Sequence, residues 1–266
     1  MPWPERQLAM LREIGVRLWL PPGEPGPDRI DPLGQPDAAG SATTGIGTGR
    51  VAAPPVVAAA LARPPPREPV PQIAAMGWPA LREAVSACTA CVLCEGRRQA
   101  VFGVGSERAH WMVVGEAPGE QEDIQGEPFV GKSGRLLDNM LQAIGLTRGD
   151  AVPARQVYIA NSVKCRPPGN RNPAPEELAQ CEAFLIRQVE LLRPRIILAM
   201  GRFAVQSLLR SSEPIGRLRG RVHRYQGVPL IVTYHPAYLL RNLEDKAKAW
   251  DDLCLAVETA QAGAQN

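Results

Sequence analysis

The chain lacks any apolar run of about 18 residues, so nothing in it reads as a membrane-spanning helix. Its first residues carry Glu5, Arg6, Arg12 and Glu13 where a secretory leader would be uninterruptedly apolar. It also lacks a charge excess: 30 basic and 27 acidic side chains leave +3, so any attraction to a polyanion has to be local. Cysteine is sparse, at six in 266 residues. Without a leader the expected setting is cytoplasmic and reducing, where these six serve as thiols or metal ligands rather than as a disulfide framework. A monomer with no membrane contact is expected.

Punctuation is what the chain has in excess, with 27 prolines and 25 glycines. Fifteen of the prolines fall within residues 1–75. Residues 21–76 show neither helical nor strand periodicity and cannot bury enough apolar surface to offset their ordering entropy, which predicts a disordered linker. Ahead of it, Trp3, Leu8, Leu11, Ile14 and Leu18 recur at near-helical spacing until Pro21 and Pro22. Residues 1–20 therefore read as a short amphipathic helix, docked on its own domain or offered to a partner's groove. The string Leu11-Arg-Glu-Ile-Gly-Val-Arg-Leu-Trp19 resembles the N-terminal peptide of the psi subunit of the bacterial clamp loader, which implies a replication partner.

From residue 77 to about 260 the pattern changes, with 261–266 left as a flexible tail. Trp111–Val114, Val157–Ala160, Ile196–Met200 and Leu230–Thr233 are apolar runs of strand length, and helical patterns lie between them. Strands apolar throughout, alternating with helices, predict a three-layer α/β/α sandwich around a central, mostly parallel four-stranded sheet.

Ligands in such folds bind beyond the carboxyl ends of the strands. Those ends read Gly115-Glu-Ala-Pro-Gly119, Asn161-Ser-Val-Lys-Cys165 and Tyr234-His235-Pro-Ala-Tyr238. The string Gly126 to Ser133 matches a phosphate-binding loop, but the preceding Glu120-Gln-Glu-Asp-Ile-Gln125 carries three carboxylates and cannot be the buried strand that motif requires. Cys88, Cys91 and Cys94 form a Cys-x2-Cys-x2-Cys run, and Cys165 and Cys181 follow. Close thiolates separated by a long insertion pin distant segments through zinc or an iron-sulfur cluster, and spacing does not choose between them. Cys254, on an apolar helix stripe, reads as core. Phe129 could stack on a planar ligand, Asn161 could read a nucleobase edge, and His235 could act as cation, donor or acid.

Gly115-Glu-Ala-Pro-Gly-Glu-Gln-Glu-Asp123, Gly126-Glu-Pro-Phe-Val-Gly-Lys-Ser-Gly134, Tyr158-Ile-Ala-Asn-Ser-Val-Lys-Cys-Arg-Pro-Pro168 and His235-Pro-Ala-Tyr-Leu-Leu-Arg241 together resemble the family 4, iron-sulfur uracil-DNA glycosylases. The resemblance runs from about Cys88 to Val257. It implies a [4Fe-4S] cluster on Cys88, Cys91, Cys165 and Cys181, with zinc the less favoured metal and Cys94 a bystander. It implies a uracil pocket containing Ala117, Gly119, Glu122, Phe129, Asn161 and His235. Phe129 would stack on the base, Asn161 read its edge, His235 support the leaving group, and Glu122 exclude the thymine methyl.

Ala117 stands where relatives with the same fold carry a water-activating aspartate; Glu116 or Glu122 could help instead, and no carboxylate is needed there if departure of uracil is the hard step. The loop Arg166-Pro-Pro-Gly-Asn-Arg-Asn-Pro173 has no histidine, so the covalent product trap of a sister group is not expected. Uracil-containing DNA is the implied substrate, with Lys164, Arg166, Arg171, Arg219, Arg221 and Arg241 suited to its phosphates. A metal-stapled DNA-binding or adaptor module without catalysis would keep the cysteines and arginines. It would have no need of Asn161 and His235 in one cleft.

Overall fold

A computed structural model describes residues 73–263. The predicted helix over 1–20, nearly all of the predicted linker and the last three tail residues lie outside them. The first element, a 3-10 turn at Ile73–Ala75, already belongs to the domain, because Ile73 is buried in its core. At the other end the final helix, Asp245–Ala262, takes in the first residues assigned above to the tail.

The sheet has six strands: β1 Val104–Gly105, β2 Trp111–Gly115, β3 Val157–Asn161, β4 Ile196–Met200, β5 Val222–Tyr225 and β6 Val228–Thr233. Their order across the sheet is β1-β3-β2-β4-β6-β5. The four predicted strands are its parallel centre, β3-β2-β4-β6. Antiparallel β1 and β5 close the two edges, so the expected count of four is corrected to six. β1 is two residues long, and β5 alternates between exposed and half-buried positions, so neither forms an apolar run. β5 turns into β6 through Gln226 and Gly227, both at positive φ (49° and 85°), the two-residue turn whose twist suits a hairpin.

Side chains alternate across each strand, and the core divides accordingly. Met112, Val114, Ile197 and Ala199 face a layer containing the Trp78–Ser86, Pro175–Leu192 and Arg202–Leu209 helices. Trp111, Val113, Leu198 and Ile231 face the Lys132–Ala143 and Asp245–Ala262 helices. The α/β/α layering is as expected. Among the described residues, no helix is long and apolar enough to cross a membrane.

The register matters most for the site. Gly115 pairs with Asn161, and Met200 with Thr233, so the central strands end level with one another. The chain leaves β2 toward β3 on one side and returns to β4 on the other, which opens a crevice beyond the end of β2.

Leu137 is fully buried on the inner face of the Lys132–Ala143 helix. Leu137→Ala is expected to cost about 2–5 kcal/mol of unfolding free energy, measured by urea denaturation.

Candidate active site

A cleft of about 710 Å³ opens at the level strand ends and is lined by residues from every loop that leaves them. Gly115 ends β2 with no side chain. A Cβ there would overlap the Asn161 amide oxygen and lie 2.7 Å from the Phe129 ring. The glycine thus lets an amide and a phenyl ring close over one point. Asn161 is 2% exposed, and its Oδ1 has no hydrogen-bond partner. A buried carbonyl oxygen left unpaired costs free energy, and such an orphan inside a cleft marks where a ligand's donor belongs. Its backbone is fixed locally: Ser162 N–H donates to the Gly115 carbonyl at 3.0 Å, and Val163 N–H to the Glu116 carbonyl at 3.2 Å.

Phe129 sits in the left-handed region at φ 56°, a conformation a bulky residue adopts only under constraint. Two clamps supply it. Glu122 accepts from Val130 N–H (3.0 Å) and Gly131 N–H (3.3 Å), while its other oxygen accepts from Gly119 N–H (3.1 Å). Arg148 donates to the carbonyls of Pro128 (3.0 Å) and Phe129 (3.3 Å) and is itself anchored on Asp138 at 2.7 Å. Gly134 completes the fit, since a Cβ there would overlap the Phe129 carbonyl. Glu122 therefore spends its carboxylate on backbone amides, although it lines the cleft. The Gly126–Ser133 string follows a helix, Glu120–Gln125, rather than a strand.

His235 precedes the short Pro236–Leu239 helix, and its Nδ1 accepts from Ala237 N–H at 3.1 Å. That bond leaves the ring proton on Nε2, a donor. Burial pushes its pKa down to about 4, with Arg241 adding to the depression and Glu122 opposing it, so the ring is neutral at ordinary pH. Phe129 and His235 stack with centroids 5.3 Å apart. Glu116 lines the same cleft, and burial raises its pKa to about 7 against the pull of Arg202. Ala117 and Gly119 complete that wall.

Cys88, Cys91, Cys94, Cys165 and Cys181 line a second, smaller cavity. None of the six cysteines is in a disulfide. Arg97 donates to Cys165 Sγ at 2.9 Å, and Lys164 N–H to Cys181 Sγ at 3.3 Å. Burial pushes the Cys181 thiol up to about 12 and raises those of Cys91 and Cys165. Among the described residues, no three His, Cys, Asp or Glu side chains close tightly enough to hold one metal ion. A single zinc ion, bound at about 2.3 Å, needs its sulfurs within about 4 Å of one another. The donors lining this cavity are thiols, with the Arg97 guanidinium on one of them, a set that suits a thiolate-bound anionic centre.

The predicted phosphate contacts separate into three groups. Arg171 and Arg241 line the cleft, and Arg166 flanks it on an ion pair with Glu120 at 3.6 Å. Arg171 also forms a two-pronged pair with Glu177, at 2.9 and 2.6 Å. Arg221 is exposed but lies off the cleft lining. Lys164 and Arg219 need correction. Lys164 is 1% exposed, with its ammonium bonded to the Asn161 carbonyl and Gln188, so it cannot meet DNA. Arg219 pairs with the fully buried Asp252 at 3.0 Å and donates to the Lys248 carbonyl, which commits it to holding the last helix. Arg202, directly after the end of β4, was missed. Applying the strand-end rule to Gly201-Arg202-Phe203 would have found it. Stacked Tyr234 and Tyr238, 5.1 Å apart, form another part of the rim.

The fold and this strand-end cleft are those of the uracil DNA glycosylase superfamily, whose family model matches residues 102–254. The chain is 45% identical over 168 residues to a type-4 uracil-DNA glycosylase of Archaeoglobus fulgidus, covering 60% of this chain and 81% of that protein. It is 42% identical over 168 residues to the type-4 protein of Thermotoga maritima, covering 62% and 84%. A type-5 uracil-DNA glycosylase of Pyrobaculum aerophilum is 35% identical over 149 residues, covering 52% and 66%. Within the superfamily, the chain belongs to the type-4 uracil-DNA glycosylases.

Arg219→Ala strands the buried Asp252 carboxylate and is expected to lower unfolding free energy by about 3 kcal/mol. Exposed Arg221→Ala should change it by less than about 0.5 kcal/mol, both read by urea denaturation.

Proposed function

We propose that the chain hydrolyses the bond between uracil N1 and deoxyribose in DNA, releasing free uracil and leaving an abasic site. The observation that carries this reading is the orphaned Asn161 oxygen, buried beside Phe129 and His235. Uracil offers an N3–H to that oxygen and an O4 to the amide NH2, whereas cytosine presents the reverse pattern and leaves both groups unpaired. Only an extruded nucleotide can reach the cleft. Extrusion costs a few kcal/mol, least for a mismatched base. Arg171 and Arg241 on the cleft lining, with Arg166 close by in sequence, support contacts to the phosphates flanking that nucleotide.

As the glycosidic bond stretches, negative charge grows on the uracil ring and positive charge on the sugar. His235, held neutral with Nε2–H free to donate, offers its proton to the developing anion without surrendering it. Glu116 as a carboxylate offsets the charge on the sugar. Ala117 gives water no base at its usual place, so water captures a sugar cation that has already formed. A [4Fe-4S] cluster on Cys88, Cys91, Cys165 and Cys181 would supply cross-linking rather than bond chemistry, and Cys94 would stay a bystander. The thiol-lined cavity, with the Arg97 guanidinium on Cys165 Sγ, supports a thiolate-bound anionic centre there, and the choice of iron-sulfur over zinc rests on the family resemblance.

The decisive assay incubates stoichiometric protein with a single-uracil oligonucleotide. An alkali-labile break at the uracil is expected, and its absence removes the proposal. A brown preparation containing iron is expected as well, whereas a colourless zinc protein purified without oxygen would overturn the metal assignment.

Two variants probe the chemistry. His235→Ala removes one preorganised donor and is expected to lower kcat by roughly 10²–10³-fold, with DNA affinity nearly unchanged. Glu116 ionises near pH 7 while His235 stays neutral from pH 5 upward. The single-turnover rate should therefore rise as pH passes upward through about 7, and Glu116→Gln should flatten that rise.

A further inference from the structure

Lys164 is a lysine with almost no contact with water. It lies three residues after Asn161, immediately before Cys165, and lines the cysteine cavity. Both ends of the residue are held. Its backbone N–H donates to Cys181 Sγ at 3.3 Å, and its carbonyl accepts from Val101 N–H at 2.7 Å. Its ammonium donates to the Asn161 carbonyl at 2.8 Å and to Gln188 Oε1 at 2.6 Å.

Gln188 cannot turn away. Its amide nitrogen is occupied by the Phe102 carbonyl at 2.9 Å and the Tyr158 hydroxyl at 3.1 Å, which points its oxygen at the lysine.

All the acceptors around this ammonium are neutral. A buried cation with only neutral partners is strongly disfavoured unless an anion lies within reach of its field. The anionic groups whose field reaches it are the thiolates of Cys181 and Cys165. An iron-sulfur centre on four thiolates is a buried anion with the converse problem. Lys164 thus stands between a group that needs positive charge and the backbone of the residue that reads the base.

We propose that Lys164 is a positioning residue that couples the cysteine-bound cluster to uracil reading, balancing the cluster's charge on one side and fixing the Asn161 main chain on the other. The inference rests on the cluster and uracil assignments made above and adds a dependence between them. The Lys164 bond adds to the main-chain bonds that hold Asn161, so a change of charge at the cysteine site reaches the base-reading amide through it.

The test compares the full wild-type chain with Lys164→Met and Lys164→Gln, purified without oxygen and characterised by iron content, cluster absorbance, cluster midpoint potential and single-turnover uracil excision. Removing a nearby cation disfavours the more negative, reduced cluster, so the midpoint should move to a more negative potential. Displacing Asn161 should lower the excision rate on the order of 10–100-fold at saturating protein. The glutamine variant stays polar and guards against collapse of the methionine variant. It should shift the potential in the same direction with a smaller loss of rate. Lys164→Arg keeps the charge and should restore the potential. A folded neutral variant with wild-type potential and rate overturns the coupling, and so does a change in one without the other. Should the wild-type chain carry no cluster, or carry one and leave uracil in place, the earlier assignments have failed rather than this coupling.

Discussion

The site depends on one close approach, the meeting of Asn161 and Phe129 over the bare end of β2. Four parallel strands ending in register bring the loops to one level, but only a glycine at position 115 lets an amide and a ring occupy the space above it. The consequence is a buried oxygen without a partner, which is unfavourable in the empty protein and becomes favourable when a matching donor arrives. A ligand that presents a donor there removes the penalty, and one that presents an acceptor leaves it in place.

Much of the surrounding structure holds that arrangement against relaxation. Phe129 is kept in the left-handed region by bonds from two sides, the Glu122 carboxylate accepting from the amides of the two residues after it and the Arg148 guanidinium donating to its carbonyl and to that of Pro128. His235 is locked in one tautomer by the amide two residues on. Both side chains are thus fixed in place before any ligand arrives.

What could be read from the residues was governed by how many partners lay nearby in sequence. β2, β3, β4 and β6 were legible because a strand buried on both faces must be apolar throughout. β1 and β5 were not, since an edge is short or half wet. The strand-end loops pointed to Asn161 and His235 as candidates, and both line the one cleft. Lys164 and Arg219 were misread because their environments are set from afar. Gln188 lies 24 residues beyond the first, and Asp252 lies 33 beyond the second. A cation next to cleft residues looks the same in sequence whether it faces water or a buried partner. Glu122 shows the same limit: its acceptor role depends on amides eight and nine residues away.

The cysteine cavity also imposes an order in time. Its first contributors, Cys88 and Cys91, leave the ribosome well before Cys165 and Cys181, with β2, β3 and the Lys132–Ala143 helix all synthesised between them. At usual elongation rates that interval lasts about 5–20 s. Throughout it the early thiols have no later partners, and the domain's first helix has no Pro175–Leu192 helix to pack against. Any group held by all four thiols could therefore be completed only late, and a nascent chain stalled in that window would leave the early thiol pair open to oxidation.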